Sequence, residues 1–419
     1  MKPVTAIAMA TAAAMLVGCQ GDAQVTAAQM REAPDYWPDT LTVRNPSRLP
    51  KTLKALRVSL GTPGEQKPNV VLLPNGETLL VDYGGQENSD GTYQENLYLY
   101  RSSDYGQRWG SRQTLPTPGR EGYFTLLRSG VLLLTAQVIS ADYRNKEGYA
   151  YDVVYRSEDG GMTWDKGTPV LHADVGGSYG TDAARNILEL RDGSLLWEVG
   201  ADYAGQRAWR SYDGGLTWDK TGAPQADPVG FNSIYSEGQW SDEMVLEQEA
   251  DGDFLGFVRC FPAALPPIPN DPLPVDSATN DADNRLAVFR SHDEGSTWTL
   301  DRAPFHVVYG EMYPSLLRPD SKEVLFTYTV RALQSTVGVR AVIGANVGSL
   351  DFSHDVILIN SEINIAVEYP AAGVVDPAGG GYGNTIQEPD GALLTPDSHL
   401  DLTVGKTMVE VVRWQLPRL

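Results

Sequence analysis

The sequence is poor in cysteine, in positive charge and in long apolar runs. Two cysteines among 419 residues are too few for a disulfide scaffold or a cysteine-based zinc site. The 33 Lys and Arg residues face 54 Asp and Glu, and the net charge of −21 disfavours binding to nucleic acid or anionic membrane surfaces. After residue 30 no apolar run suffices for a membrane helix, and long helical periodicity is missing after residue 35. The 42 Gly and 27 Pro instead indicate a chain rich in turns.

The first 18 residues have the features of an export signal. A positive charge precedes a short apolar stretch, and Leu16-Val17-Gly18-Cys19 is typical of a bacterial lipoprotein cleavage site. We therefore expect residues 1–18 to be removed, Cys19 to be lipidated and residues 19–40 to form a tether. Gln20 after the cysteine favours the outer membrane of a Gram-negative envelope. The alternative is an ordinary signal peptide in which Cys19 is incidental.

Two patterns recur along the rest of the chain. The first is a Ser-x-Asp-x-Gly-x-Thr-Trp motif, and the second is a turn between two apolar runs. Asn-Gly and Asp-Gly turns favour tight hairpins in which both central residues have positive φ. The Asp-type positions of the motif are Asp104, Asp159, Asp213, Asp293 and, in a worn copy, Asn346. The turns are Pro74-Asn75-Gly76, Arg128-Ser129-Gly130, Arg191-Asp192-Gly193, Ala250-Asp251-Gly252, Pro319-Asp320-Ser321 and Pro389-Asp390-Gly391.

The spacing of these repeats predicts the fold. Apart from one longer interval with a Pro-rich insertion, the period is roughly 50 to 70 residues, typical of a β-propeller blade of about four strands. Six turns predict an all-β, six-bladed β-propeller over residues 41–419. A seventh blade that closes the ring is one alternative, and a two-domain β-sandwich is another. The sandwich would not explain why the motif recurs between successive hairpins.

The Ser-x-Asp motif is best explained as a structural element. Its Ser and Asp side chains can satisfy backbone donors in a tight turn, and its Trp can pack beneath that turn. The motif resembles the Asp-box of the sialidase (neuraminidase) superfamily, and the likeness spans roughly residues 55–415. This resemblance implies a six-bladed propeller with an exo-glycosidase site at its centre. Asp-boxes also occur in non-catalytic propellers, so they do not by themselves indicate activity.

Residues at equal offsets from the hairpin turns are expected at one end of a central channel, because the paired strands are antiparallel. The polar members of this set predict a substrate-binding mouth whose carboxylates, phenols and guanidinium can support acid–base or nucleophilic chemistry. A structural channel held by ion pairs is the alternative. Nine residues before the turns lie Lys67, Glu121, Ala184, Glu243, Met312 and Tyr382, and seven residues after them lie Tyr83, Gln137, Gly200, Arg259, Tyr328 and Ser398.

The resemblance implies roles for several of these residues. Tyr382 is similar to the nucleophilic Tyr of sialidases, and Glu243 to the Glu that assists it. Arg259 is similar to one Arg of the triad that holds the sugar carboxylate. Because a phenol is mostly neutral, it needs a nearby base to become nucleophilic, and the Glu–Tyr pairing therefore makes physical sense. The family's acid/base Asp lies in a loop after the first hairpin, where Asp90 matches best and Glu87 second.

The sequence also departs from the family pattern. Where the family's first triad Arg opens an Arg-Ile-Pro motif, this chain has Gln66-Lys67-Pro68. Lys67 is a point charge that cannot make the planar two-bond clamp of an Arg on a carboxylate. The third Arg of the triad is either Arg331 or Arg340, and the spacing does not decide between them. Gly383-Asn384 follows the Tyr where the family usually has Ser.

Three classes of function fit this sequence. The first, which we favour, is an exo-acting retaining glycosidase of sialidase type that releases a terminal sugar, either acidic or neutral, from a glycan. A polysaccharide lyase and a non-catalytic glycan-binding lipoprotein are the alternatives. We expect a glycan as ligand, a membrane contact only through Cys19, no nucleic-acid partner and a monomeric protein. The five histidines show no metal-binding spacing, and we predict neither a metal nor a cofactor.

Overall fold

The structure is a computed structural model whose regular secondary structure consists almost entirely of β-strands. It describes residues 36–175, 180–181, 185–201, 205–219, 241–249, 251–260, 285–295, 298–301, 314–320, 323–330, 338–360, 383–401 and 406–417. Within these ranges the α-helix α1 spans His172–Val175, and no helix has the length and apolar character that crossing a membrane requires.

The strands follow one another in chain order as β1 to β24. The first twelve are β1 (Trp37–Arg44), β2 (Thr52–Leu60), β3 (Glu65–Leu72), β4 (Thr78–Glu87), β5 (Tyr93–Ser102), β6 (Gln113–Pro118), β7 (Arg120–Leu126), β8 (Leu132–Val138), β9 (Tyr151–Ser157), β10 (Thr168–Val170), β11 (Ile187–Glu189) and β12 (Leu195–Ala201). The others are β13 (Gly205–Ser211), β14 (Ser241–Gln248), β15 (Phe254–Cys260), β16 (Arg285–Ser291), β17 (Thr299–Asp301), β18 (Ser315–Asp320), β19 (Glu323–Val330), β20 (Gly338–Gly344), β21 (Val356–Asn360), β22 (Ile386–Gln387), β23 (Leu393–Asp401) and β24 (Lys406–Trp414).

These strands form five antiparallel sheets. Four of them are built from consecutive strands, β3 to β6, β7 to β10, β11 to β13 and β14 to β17. The fifth has nine strands in the order β18-β19-β20-β21-β1-β2-β24-β23-β22. In it β1 pairs with both β21 and β2, and β2 pairs with β24, so strands from the two ends of the chain share one sheet. The strand β1 begins at Trp37, earlier than position 41, where the sequence places the start of the folded domain.

The six predicted hairpins are present as antiparallel pairs, but the turn type differs from the prediction. The pairs are β3–β4, β7–β8, β11–β12, β14–β15, β18–β19 and β22–β23. In the first turn the N–H of Gly76 donates to the carbonyl of Leu73, and only Gly76 has a positive φ, of 86°. Asn75 has no positive φ, because the loop is a three-residue turn closed by a left-handed Gly and not a two-residue turn. The same bonding recurs at Gly130, Gly193, Gly252 and Gly391.

Paired leucines in the second strand of four hairpins, at positions 79–80, 132–133, 195–196 and 393–394, are explained by burial on both faces. Leu79 and Val81 of β4 pack toward β8, where Leu132 and Leu134 lie. Leu80, between them, points to the opposite face and packs against Val409 of β24. A strand with a sheet on each side has no solvent face, so its apolar residues are consecutive and do not alternate with polar ones.

Hydrogen bonds link the first strands of successive hairpins to one another. In each case a side chain from one hairpin bonds to the backbone of the next, and the sixth contact returns to β3, which gives a propeller-like arrangement. The contacts are Asn69 with Phe124, Thr125 with Ile187, Asn186 with Leu246, Glu247 with Leu316, Ser315 with Thr385, and Asn384 with Val70.

The four Ser-x-Asp turns share one hydrogen-bond pattern, as their predicted structural role requires. In the second copy the Ser157 hydroxyl donates to Asp159 at 2.8 Å and accepts from the N–H of Gly161 at 2.8 Å. Equivalent bonds are formed by Ser102, Ser211 and Ser291. At the fifth, worn position Asn346 instead precedes a short 3₁₀-helix, Val347–Ser349, and its backbone N–H donates to Ser349.

Candidate active site

Three residues at matching positions of three hairpins have an unusual backbone conformation. Lys67, Glu121 and Glu243 have φ values of 51°, 54° and 59°, in the left-handed region that non-glycine residues rarely occupy. At each of them the strand pairing is interrupted by a bulge, which turns the side chain away from the direction that regular alternation would give it. Because each such residue costs about 1 kcal/mol or more, the repetition at equal offsets points to a functional site.

The side chains of these residues meet in one buried ion-pair cluster. The Nζ of Lys67 lies 2.6 Å from Oε1 of Glu121. The other carboxylate oxygen of Glu121 lies 3.1 Å from Nη2 of Arg185, which also pairs with Glu243. None of the four residues is more than 8% exposed. Ser398, also from the predicted set, accepts a hydrogen bond from the backbone N–H of Lys67.

The guanidinium of Arg185 was missed by the sequence reasoning. The ninth position before its turn is Ala184, and Arg185 is the next residue along the chain. A search that allowed a shift of one residue from the expected position would therefore have found this arginine. Arg185 is fully buried and lies between Glu121 and Glu243, so it bridges the two carboxylates that the sequence expected to meet.

A second guanidinium, that of Arg120, connects this cluster to Tyr83. One of its nitrogens lies 3.2 Å from Glu121 and donates to the Tyr83 hydroxyl at 2.8 Å. The other lies 3.9 Å from Glu95 of β5. Burial would by itself raise the pKa of Glu121, but the charges of Lys67, Arg120 and Arg185 hold that pKa well below its ordinary value.

Asp90 and Glu87 are exposed to solvent, whereas the residues of the ion-pair cluster are buried. Asp90 occupies the tip of the β4–β5 hairpin. Its carboxylate accepts hydrogen bonds from the hydroxyl and the N–H of Thr92, at 2.7 and 3.0 Å, and these bonds lower its pKa. The acid/base role of Asp90 stays a prediction, and its observed contacts are those of a turn aspartate.

Tyr328 and Arg340 face each other across β19 and β20. Tyr328 packs against Phe326 and Phe352 in an apolar core, and its described contacts do not include the Lys67–Glu121 pair. Burial lowers the pKa of Arg340, and the neighbouring Tyr328 hydroxyl opposes this effect. The two residues thus contact each other within the β18–β21 part of the nine-stranded sheet, and their predicted role in binding the substrate stays a prediction.

Some predicted site residues lie outside the described part of the chain. These are Tyr382, Arg331 and Cys19, and the side chain of Arg259 is also not described. The backbone of Arg259 pairs with Asp242, the residue before Glu243.

The residues that follow Tyr382 have a specific structural reason for their identity. Gly383 has a φ of 112°, and a Cβ there would lie 1.8 Å from the carbonyl oxygen of Pro396. The amide of Asn384 bonds to both backbone groups of Val70, three residues after Lys67. Gly and Asn, in place of the family's usual Ser, thus hold this segment next to the strand that carries Lys67.

Two groups of side chains have the composition of a metal site, and neither includes the cluster. Within the described residues, ligand atoms closer than 4.8 Å to one another occur in Asp397, His399 and Glu410, and in Glu249, Asp251 and Asp253. Arg57 already pairs with Glu410, and Arg290 pairs with Glu249 and Asp253. We assign no metal to either group.

Comparisons with known proteins identify the fold. No family model matches the chain, and no curated protein matches it. A Dyadobacter fermentans protein of unknown function superposes with a TM-score of 0.61 at 18% identity, over 92% of this chain and 100% of that one. A variant of the NanB sialidase from Streptococcus pneumoniae gives 0.52 at 13% identity, over 85% and 70%. The intramolecular trans-sialidase from Ruminococcus gnavus gives 0.51 at 12%, over 84% and 94%. The expected sialidase-like fold is confirmed, and at these identities the likeness extends to the fold alone.

Proposed function

We propose that this protein is an exo-acting retaining glycoside hydrolase of sialidase type that removes a terminal acidic sugar from a glycan. We further propose that its fold is a six-bladed β-propeller, in which the nine-stranded sheet contributes two blades. One is β18 to β21, and the other is β22 to β24 completed by β2. The closed series of hydrogen bonds between the first strands of six hairpins supports this count.

The observation that carries the functional proposal is the convergence of Lys67, Glu121 and Glu243 at matching strained positions. A structural core layer has no need of three buried charged residues in left-handed conformation. Strain of this kind is retained where the surrounding structure holds a group ready for binding or chemistry. The likeness of the fold to sialidases supports a glycan as the substrate.

The charge balance of the cluster supports an acidic ligand. Lys67, Arg120 and Arg185 are cationic, and Glu121 and Glu243 are the carboxylates that pair with them. Among these five described side chains the cations outnumber the carboxylates by one, which favours a ligand that carries a carboxylate. Gln66 stands where sialidases have the first arginine of their triad, so the neighbouring Lys67 would meet the sugar carboxylate. We propose that Arg259 supplies the planar contact that Lys67 cannot make.

In this proposal Tyr382 is the nucleophile and Glu243 the base that assists it. A neutral phenol avoids repulsion from an anionic substrate, and a nearby carboxylate can accept its proton. Arg185 pairs with Glu243 and would hold its carboxylate in position.

A hydrolysis assay on a glycan panel tests the proposal. The protein beginning after Cys19 is incubated with glycans that end in sialic acid, in uronic acids and in neutral sugars. We expect release of a terminal acidic sugar, and loss of turnover without loss of folding in Tyr382→Phe. An unsaturated product that absorbs in the ultraviolet would indicate a lyase instead. Saturable glycan binding without any product would indicate a non-catalytic protein.

We also propose that the protein acts as a monomer held at the outer membrane by a lipid on Cys19. The net charge of −21 disfavours adsorption to an anionic surface, so attachment would depend on the lipid. Replacing Cys19 by Ser should move the protein from the membrane fraction to the soluble fraction, and Cys260→Ser should leave it in place. Retention of the Cys19 variant in membranes would contradict the anchor.

A further inference from the structure

The backbone of Glu95 is held in place by a neighbouring hairpin. Its N–H donates to the carboxylate of Asp142 at 2.9 Å, and its carbonyl oxygen accepts from the guanidinium of Arg144. Arg144 also pairs with Asp142, so the two contacts form a closed clamp. Glu95 lies on β5, five residues beyond the exposed tip at Asp90. This anchoring fixes the direction of its side chain.

The side chain of Glu95 points toward the ion-pair cluster and is almost fully enclosed. The residue is 4% exposed. Its Oε1 accepts a hydrogen bond from the Tyr93 hydroxyl at 3.0 Å and lies 3.9 Å from Arg120. Its Oε2 is buried and has no hydrogen-bond partner among the described residues. An enclosed carboxyl oxygen without a partner is costly, and it is explained if a ligand atom bonds to it.

Glu95 and Glu121 are two carboxyl groups in opposite electrostatic environments. Glu121 touches three cations, whereas the nearest nitrogen of Arg120 to Glu95 is at 3.9 Å. Burial raises the pKa of Glu95, and Arg120 and Tyr93 only partly oppose this effect. Neighbouring carboxyl groups whose pKa values are pushed apart in this way are typical of sites that use one as an acid and another as a fixed charge.

We propose that Glu95, and not Asp90, is the general acid and base of the glycoside hydrolysis, an inference that rests on the proposed function. The half-buried hydroxyl of Tyr93 would orient the carboxyl group, and the free oxygen would face the glycosidic bond. Asp90 lacks both properties, since it is exposed and already bonded to Thr92 in its own turn. An acid that works near neutral pH has to be held in its protonated form, and enclosure does this whereas exposure does not.

The proton balance of the proposed steps is closed. In the first step the nucleophilic phenol gives its proton to Glu243 and its oxygen bonds to the anomeric carbon, while the bond to the leaving oxygen breaks with its electron pair and Glu95 gives its proton to that oxygen. In the second step a water molecule gives a proton to the Glu95 carboxylate and attacks the anomeric carbon, while the bond to the phenol oxygen breaks with its electron pair and that oxygen takes its proton back from Glu243. Glu95 ends protonated, as it began.

The test compares Glu95→Gln with the matched control Asp90→Asn on two kinds of substrate of the same acidic sugar. One is its 4-methylumbelliferyl glycoside, whose leaving group needs little protonation, and the other is a disaccharide with a sugar leaving group. We expect Glu95→Gln to lower disaccharide turnover by about 10²–10⁴-fold while the aryl glycoside falls less than about tenfold. The alkaline limb of its pH–rate profile should also disappear. Asp90→Asn should match the wild type on both substrates.

Each other outcome overturns the inference in a recognisable way. Unchanged disaccharide turnover in Glu95→Gln would exclude Glu95 as the acid, and an equal loss on both substrates would assign it a structural role. A large loss in Asp90→Asn confined to the disaccharide would restore Asp90. If Glu95→Gln does not fold, Glu95→Asp keeps the charge but withdraws the carboxyl group, and it should show the same split between substrates. A wild-type protein inactive on every substrate would defeat the proposed function itself.

Discussion

The Nζ of Lys67 lies 2.6 Å from the Glu121 carboxylate, although 54 residues separate the two in the chain. Both residues adopt a left-handed backbone at bulges of equal offset from their turns. Each of these two hairpins therefore contributes one charged side chain, and the counterion of that side chain lies on the other hairpin. An ion pair built in this way depends on the packing of two sheets and not on either sheet alone.

Removing the charge of Glu121 should destabilise the protein. Glu121→Gln leaves the cations of Lys67, Arg120 and Arg185 with one fewer carboxylate in a buried site, and we expect a loss of about 3 kcal/mol in the free energy of unfolding. Chemical denaturation measures this loss. The control Glu158→Gln changes a side chain that is 71% exposed and should stay within about 0.5 kcal/mol of the wild type. Equal stabilities of the two variants would contradict the buried ion pair.

Gly383→Ala should be far more damaging than Gly391→Ala. Both glycines have positive φ, of 112° and 85°, so both substitutions carry a backbone cost of about 1–2 kcal/mol. At Gly391 nothing lies within 4 Å of the added methyl group, whereas at Gly383 it meets the Pro396 carbonyl at 1.8 Å. We expect Gly383→Ala to lose about 3 kcal/mol or more, together with turnover, because Tyr382 would shift. Thermal unfolding and the hydrolysis assay check both, and similar effects at the two positions would refute the close contact.

The stability of the protein should fall as pH rises through the range in which Glu198 titrates. Glu198 is 2% exposed, and neither carboxylate oxygen has a hydrogen-bond partner among the described residues. Burial raises its pKa from 4.5 to about 8, which Arg210 only partly opposes. The folded state then binds the proton more tightly than the unfolded state, so this contribution is complete below about pH 4.5 and is lost as pH rises to about 8.

The variant Glu198→Gln isolates this effect, because it keeps the size of the side chain but does not titrate. Its stability relative to the wild type should rise between pH 5 and pH 8.5, by on the order of a few kcal/mol. Urea denaturation at the two pH values measures the difference. A constant difference across this range would show that Glu198 is ionised in the folded protein.

Ser157→Ala should destabilise the turn that Ser157 organises. The hydroxyl bonds to both Asp159 and the N–H of Gly161 and is 1% exposed, so its loss leaves a buried donor without a partner. We expect a loss of about 1–3 kcal/mol in the free energy of unfolding. Ser129→Ala, at an exposed hairpin tip, serves as the control and should have an effect below about 0.5 kcal/mol. Equal effects would mean that the recurring motif has no structural role.

The sequence predicted site residues only in those hairpins that keep the same number of residues between the bulge and the turn. Counting from the turns found Lys67, Glu121 and Glu243, because the same number of residues separates bulge and turn in three hairpins. Arg185 was missed because it departs from that count by one residue. Glu95 was missed because its enclosure by Asp142, Arg144 and Arg120 involves residues from another sheet. The predicted type of hairpin turn was wrong. The preference of Asn-Gly and Asp-Gly for two-residue turns says nothing about how many residues the loop contains, and these loops have three.

By itself, the amino-acid sequence determined the repeated hairpins and the Ser-x-Asp turns, because each depends on interactions within a few residues or on one apolar pattern. Only the tertiary structure decided that β1 and β2 join the two ends of the chain in one sheet, that Arg185 lies between two carboxylates, and that Glu95 is enclosed whereas Asp90 is exposed. Burial and ion pairing depend on residues far apart in the chain, and those distances are set by how the sheets pack against one another.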